Sequence, residues 1–413
     1  MEELNVYDVL KERGFIQQVT DEEIIREILG TQKITCYIGF DPTADSLHAG
    51  SLMPIMALVH LQRHGHHPVT ILGGGTAMVG DPSGKTEMRK MLLKKTIEEN
   101  GEKIKAQLAK YLDFEGGKAS IMDNADWLLD LNYIQFLREI GRHFSVNRML
   151  AAESYKIRLE TGLSFLEFNY QLLQAYDFLM LFRSQHCILQ LGGDDQWGNI
   201  VAGTDLIRRL ESQRAFGITF PLLETATGQK MGKTAKGALW LDSNRTSPYE
   251  FYQYWINVDD RDVSRFLAYF TLLPMAEVNR LGNFQGAELR EAKEVLAYEA
   301  TKITHGEEEA RKTQLASRSA FGDRELDFSG IPTSRLSVAE LKAGILVVDL
   351  FEKVGLVSSK SGGRRLVQQG GCYINENRIE DIHIRIDNSS VINNQIMLRV
   401  GKKKYHRILI DKD

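Results

Sequence analysis

Tyr37-Ile38-Gly39-Phe40-Asp41-Pro42-Thr43-Ala44-Asp45-Ser46-Leu47-His48-Ala49-Gly50-Ser51 decides how this chain is read. The apolar run Ile34–Ile38 enters it as a buried strand, the middle is a polar turn, and Leu52–Gln62 leaves it as a helix. Val69-Thr70-Ile71-Leu72 then reads as a second strand, which completes a βαβ unit. Further on, Cys187-Ile188-Leu189-Gln190-Leu191 runs into Gly192-Gly193-Asp194-Asp195-Gln196 and a helix over 196–210. Strands that end in Gly-rich loops ahead of helices predict a parallel α/β sheet, with ligands beyond the carboxyl ends of its strands. Near Gly50, the backbone N–H groups and dipole of the helix start would attract phosphate, with Thr43 and His48 beside them. Taken alone, the turn reads more readily as a plain βα loop in which Ser46 or His48 caps the helix.

Working outward, the 413 residues are 43% hydrophobic and 26% charged with 8 Pro, which excludes the disordered, collagen-like and membrane classes and suggests two to four domains. No internal repeat or low-complexity tract is present. No run approaches 18 uncharged apolar residues, and Met1-Glu2-Glu3-Leu4-Asn5 has neither the basic start of a secretory signal nor the Arg-rich character of a transit peptide. The expectation is a cytoplasmic protein with no membrane partner. Cys36, Cys187 and Cys372 are odd in number and far apart, so neither a disulfide framework nor a protein-ligated metal is expected. The net charge of −4 is unevenly spread: residues 351–413 hold 12 Lys and Arg against 7 Asp and Glu, leaving −9 on the first 350.

Three more places put polar groups where the local pattern asks for apolar ones. Gly73 to Thr86 is a Gly-rich loop after a strand, but a phosphate-binding G-x-x-x-x-G-K-[ST] loop would need Gly at position 79, which is Val. The loop still brings Asp81, Lys85 and Arg89 to a strand end. Phe168 to Phe182 reads as a buried helix with Tyr170, Gln174 and Asp177 on one face, a phenol, an amide and a carboxylate suited to a small polar ligand. Capping, or pairing with Arg183, is the alternative for Asp177. Finally, Lys230-Met231-Gly232-Lys233-Thr234 places two cations around a glycine, as either a solvated loop or a mobile clamp for polyphosphate.

Together, in this order, these segments and Gly193-Asp194-Asp195-Gln196-Trp197-Gly198-Asn199 resemble the bacterial type of tyrosyl-tRNA synthetase, a class I aminoacyl-tRNA synthetase. His48-Ala49-Gly50-Ser51 resembles that family's HIGH motif and 230–234 its KMSKS motif. The resemblance implies ATP-dependent ligation of L-tyrosine to tRNA(Tyr) through a tyrosyl-adenylate, with Mg²⁺ on the ATP phosphates. It implies that Tyr37 and Asp177 bind the phenol, that Asp81, Tyr170 and Gln174 hold the α-ammonium, and that Gln196 lies near the carboxylate. It puts Asp41, Gly50 and Asp195 on the nucleotide, and Thr43, His48, Lys85, Arg89, Lys230, Lys233 and Thr234 on the phosphates. Ser51 stands in place of the second His of HIGH, and Ile38 where many members have Cys. A tryptophanyl synthetase shares the fold and both motifs, but the Tyr37/Asp177 pair argues against it.

The expected organisation is a Rossmann-like parallel-sheet catalytic domain over 1–225, carrying a dimer-interface insertion at about 127–165. A KMSKS loop and helical domain follow over 226–325, then a linker over 326–340. Residues 341–413 resemble a small α/β RNA-binding module, in which Lys360, Arg364 and Arg365 share one helical surface facing phosphate. In the insertion, Tyr133, Ile134, Phe136, Leu137, Ile140 and Phe144 imply a homodimer by that resemblance, or an internal helical core by pattern alone.

Overall fold

A computed structural model describes residues 4–83, 91–228, 231–234, 237–321, 331–375, 377–392, 394–401 and 404–411. Lys85, Arg89 and Lys230 lie outside the described residues, and Lys233 and Thr234 are described in backbone alone. The chain divides into two compact units, Met1–Thr246 with Val258–Thr304, and Ser247–Asn257 with His305–Asp413.

The first unit is built on six strands: β1 (Gln18–Val19), β2 (Thr35–Phe40), β3 (His67–Leu72), β4 (Ser120–Asp123), β5 (Cys187–Gly193) and β6 (Phe216–Phe220). Their order is β1-β6-β5-β2-β3-β4, parallel throughout except for the short edge strand β1. Parallel strands covered on both faces must be apolar almost continuously. β6 is buried at every position, and β3 at all but its first. β2 and β5 are neighbours although 146 residues separate their ends, so the strand order reverses between them. That switch point opens a crevice at their carboxyl ends. The Tyr170–Gln185 helix packs against β5 and, with the Trp197–Glu211 helix, contributes Phe178, Leu179 and Leu206 to the core.

The insertion splits its apolar residues between two faces. Phe136, Ile140, Met149 and Tyr155 join the core around Tyr37 and Phe178, whereas Tyr133 and Ile134 are 57% and 70% exposed. A helical phase therefore satisfies the internal-core reading with one stripe and leaves a second apolar stripe outside.

In the second unit, Asn377–Arg378, Cys372–Ile374, Gln395–Val400, Lys404–Asp411 and Thr333–Ser337 form a sheet in that order, with the last pair parallel. The expected linker over 326–340 is thus corrected at its end: Thr333–Ser337 is an edge strand, and Val338–Ala343 a helix with a Ser337/Glu340 capping box. Nor does 226–325 hold together as one unit. The Pro248–Ile256 and Glu307–Phe321 helices go with the C-terminal sheet, because Tyr249 and Ala316 bury against Ile331, Met397 and Tyr405.

Candidate active site

Tyr37 lies in the middle of β2, opposite Val69 on one side and Gln190 on the other, with its ring 5.2 Å from that of Phe178. It is 2% exposed, and its hydroxyl has no hydrogen-bond partner among the described residues. Leaving a buried hydroxyl unmet costs about 1–3 kcal/mol, so the group marks a place where a ligand completes the structure. The register partner Gln190 likewise leaves Oε1 unmet.

Asp177, also buried, faces the same core and is not a helix cap. Its Oδ2 accepts from Asn124 Nδ2 at 2.9 Å and its Oδ1 from Trp127 Nε1 at 2.7 Å. Burial pushes its carboxyl up to about 7; the two donors pull it down, and the charges of Asp41 and Asp123 add to the rise. Burial and then the Asp177 charge hold the Tyr37 phenol well above its usual range. Neither Asn124 nor Trp127 was legible as a functional residue, because nothing in their local sequence marks a partner 53 or 50 positions away.

Toward the mouth, the Tyr170 hydroxyl donates to Asp41 Oδ2 at 2.9 Å, and Thr76 Oγ1 donates to Asp41 Oδ1 at 2.8 Å. Asp41, expected on the nucleotide, therefore sits among the residues expected to hold the ammonium. Gly73 makes this possible, since a Cβ there would fall on Asp41 Oδ1. Gly74 is close-packed in the same way, since a Cβ there would meet Asp123 Oδ1. Asp81 is 9% exposed; its Oδ1 accepts from the Ser83 N–H and its Oδ2 from Gln196 Nε2, both at 2.9 Å. Asn199 Nδ2 joins Gln174 Oε1 at 3.0 Å and Gln196 Oε1 at 3.2 Å, bridging two predicted residues. Tyr170 feels burial first, then the charges of Asp41 and Asp81, all of which drive its phenol up. Two carboxylates, a phenol and an amide around one opening favour a cationic group.

On the other side of the crevice, the Thr43 N–H closes the turn after β2 on Asp41 O at 2.8 Å, and Asp195 follows β5 in the Asp194–Gln196 turn. The neighbouring Asp194 accepts from Gln18 at 2.7 Å and Thr219 at 2.8 Å, which ties the end of β5 to the flanking strands. His48 Nδ1 accepts from the Gly50 N–H at 3.0 Å. The Gly50 N–H thus donates within its own turn, and a Cβ on Gly50 would lie 2.8 Å from His48 Cε1. In the second unit, Lys360, Arg364 and Arg365 lie on the exposed side of the Lys360–Gln368 helix, while Gly363 and Val367 turn inward. Lys360 pairs with Asp349 at 3.0 Å.

The reversed strand order, the crevice and its polar lining define a class I aminoacyl-tRNA synthetase, and residues 30–322 match the family described as tRNA synthetases class I (W and Y). Residues 323–408 match the Tyrosine--tRNA ligase SYY-like C-terminal domain. The chain is 56% identical over 407 residues to the tyrosine--tRNA ligase of Clostridium botulinum, covering 98% of this chain and 100% of that one. With the ligase of Desulfosudis oleivorans it shares 52% over 431 residues, covering 99% and 100%. A C-terminally truncated mitochondrial tyrosyl-tRNA synthetase of Aspergillus nidulans superposes with a TM-score of 0.69 at 30% identity, covering 76% of this chain and 94% of that chain. The chain belongs to the tyrosine--tRNA ligase family, and its reaction is the ATP-driven ligation of tyrosine to tRNA.

Proposed function

We propose that the crevice reads tyrosine from both ends, and the observation that carries this is the buried Tyr37 hydroxyl, without a hydrogen-bond partner among the described residues and in the field of the Asp177 carboxylate. The substrate phenol donates to Asp177 and accepts from Tyr37. The α-ammonium sits against Asp81, Tyr170 and Gln174, with Asp41 adding a second carboxylate. Gln196, fixed by Asn199, adjoins the substrate carboxylate. Phenylalanine would leave both phenol contacts unmet, which disfavours it.

No protein nucleophile is needed. The tyrosine carboxylate attacks the α-phosphorus of ATP, taken as its Mg²⁺ complex; the new C–O–P bond forms as the bond to pyrophosphate breaks. Catalysis is alignment plus cationic grip on charge that develops in the transition state. His48 and Thr43 stand at the turn after β2, and Lys85, Arg89, Lys230, Lys233 and Thr234 are assigned to the phosphates by their place in the motifs, as Asp195 is to the ribose. Lys360, Arg364 and Arg365 bind tRNA phosphates. The exposed stripe of Tyr133, Ile134 and Leu137 pairs two copies in a homodimer. Cytoplasmic location follows from the substrate; among the described residues, no helix is long and apolar enough to cross a membrane.

The test is pyrophosphate exchange driven by tyrosine and by phenylalanine. In Tyr37→Phe the lead of tyrosine over phenylalanine shrinks; an unchanged lead would show that the phenol is read elsewhere. Lys233→Ala slows adenylate formation about a hundredfold or more while tyrosine affinity holds, as expected of a group that grips the transition state.

A further inference from the structure

We propose that Trp240 is a positioning residue for His48, fixing the imidazole beside the phosphates and tying its place to the segment that carries the cationic loop. This rests on the reading of His48 as a phosphate contact.

Leu47–Ala49 runs antiparallel to Leu239–Leu241: the Ala49 N–H donates to Leu239 O at 2.8 Å and the Leu241 N–H to Leu47 O at 2.9 Å. His48 and Trp240 are the directly opposed pair of this bridge. Opposed residues of an antiparallel pair hold their side chains against one another. The two rings do meet, with centroids 6.3 Å apart and planes at 65°, an edge contact. The indole is fixed from elsewhere. The Arg245 guanidinium lies 3.5 Å over its ring and is ion-paired to Asp45, which Lys103 also reaches at 3.3 Å. The backbone N–H of Trp240 donates to Thr246 Oγ1 at 3.1 Å, which holds the residue's main chain. An indole with an ion-paired guanidinium over its face is a fixed wall for the imidazole.

The ring's chemistry follows. Because Nδ1 accepts from the Gly50 N–H, the neutral imidazole carries its proton on Nε2, as a donor suited to an anion. The ring is therefore set by one nitrogen and one edge, the latter supplied by Trp240. The same backbone run continues to the cationic loop, since the Leu239 N–H donates to Gly232 O at 2.6 Å. Gly232 has φ +77°, and a Cβ on it would lie 3.2 Å from Ala49 Cβ. A displacement of 231–234 thus reaches His48 by two routes, through the backbone at Ala49 and through the indole.

The test is a double-variant cycle on the full chain, reading the single-turnover rate of adenylate formation and, separately, the tyrosine dissociation constant. His48→Ala is expected to cost about 100-fold in rate. Trp240→Leu costs about 10-fold with tyrosine affinity within twofold, and Trp240→Phe, which keeps an aromatic edge and a seat for Arg245, recovers most of it. In the His48→Ala background, Trp240→Leu and Trp240→Phe each cost less than twofold, because the group they position is gone. Losses that multiply, or a tyrosine affinity that falls as far as the rate, would overturn the proposal by showing a merely structural indole. A His48→Ala rate equal to that of the unaltered chain would instead overturn the reading of His48 itself, and the proposal with it.

Discussion

At the scale of single residues, the pocket holds polar atoms that no described residue of the fold satisfies. Tyr37 carries a buried hydroxyl without a partner among the described residues, so its removal relieves the folded chain of a desolvation cost while depriving the substrate of a contact. Tyr37→Phe should therefore leave Tm unchanged or raise it, and weaken tyrosine binding about fivefold, as calorimetry would show. Asp177 gives the pH dependence. Its carboxyl, raised by burial to about 7, accepts the phenol hydrogen bond as the carboxylate, so tyrosine affinity should drop by up to about tenfold per unit as pH falls below that value. The stability effect has the opposite sense. Between the usual carboxylate value of 3.8 and about 7 the folded state holds a proton that the unfolded chain has released, so this group's contribution falls as pH rises through that window. Asn124→Ala removes one of the two donors and should shift the pH profile of tyrosine affinity upward, readable by binding titrations at several pH values.

Among the elements, the insertion divides its apolar residues between an inner and an outer stripe. The Tyr133–Glu139 helix sends Phe136 inward, where its ring meets that of Tyr176 at 5.4 Å, and leaves Ile134 outside. Ile134→Glu keeps the inner stripe, so folding should persist while self-association is lost, and light scattering should report half the mass of the unaltered chain at equal concentration. Nearby, Arg158 and Glu167 form a buried ion pair at 2.9 Å, their side chains 3% exposed. Truncating Arg158 would strand the Glu167 charge, which costs about 3–5 kcal/mol when a buried pair is broken.

For the whole molecule, removing the C-terminal module should leave tyrosine activation and sharply reduce charging of tRNA. The cut belongs before Ile331, since Thr333–Ser337 is a strand of the module's own sheet and a break near Leu336 would split it. Even so, the cut bares Tyr249 and Ala316, which otherwise bury against Ile331, Met397 and Tyr405, and a lower Tm is expected for the truncated chain. Pyrophosphate exchange and aminoacylation, measured on both forms, check this outcome. The full chain's tRNA affinity should also fall more steeply with salt than that of the truncated form, because fewer counterions are released without the basic helix.

What the sequence determined by itself was local or additive. The apolar strands, the phase that puts Tyr170, Gln174 and Asp177 on one helix face, the basic tail and the ordered motifs all depend on neighbours within a few turns of chain. Tertiary structure decided everything that depends on approach between distant segments. It set β2 beside β5, and so the crevice; it gave Asp177 its donors Asn124 and Trp127, moved Asp41 onto Tyr170, and brought Trp240 to His48. It also took the end of the expected linker into a sheet, because a strand is fixed by the hydrogen bonds of its partner, and Lys404–Asp411 lies some seventy residues further along the chain. Helical periodicity is written into the spacing of a sequence. The satisfaction of a buried polar group is not, because it depends on which distant atom arrives to meet it.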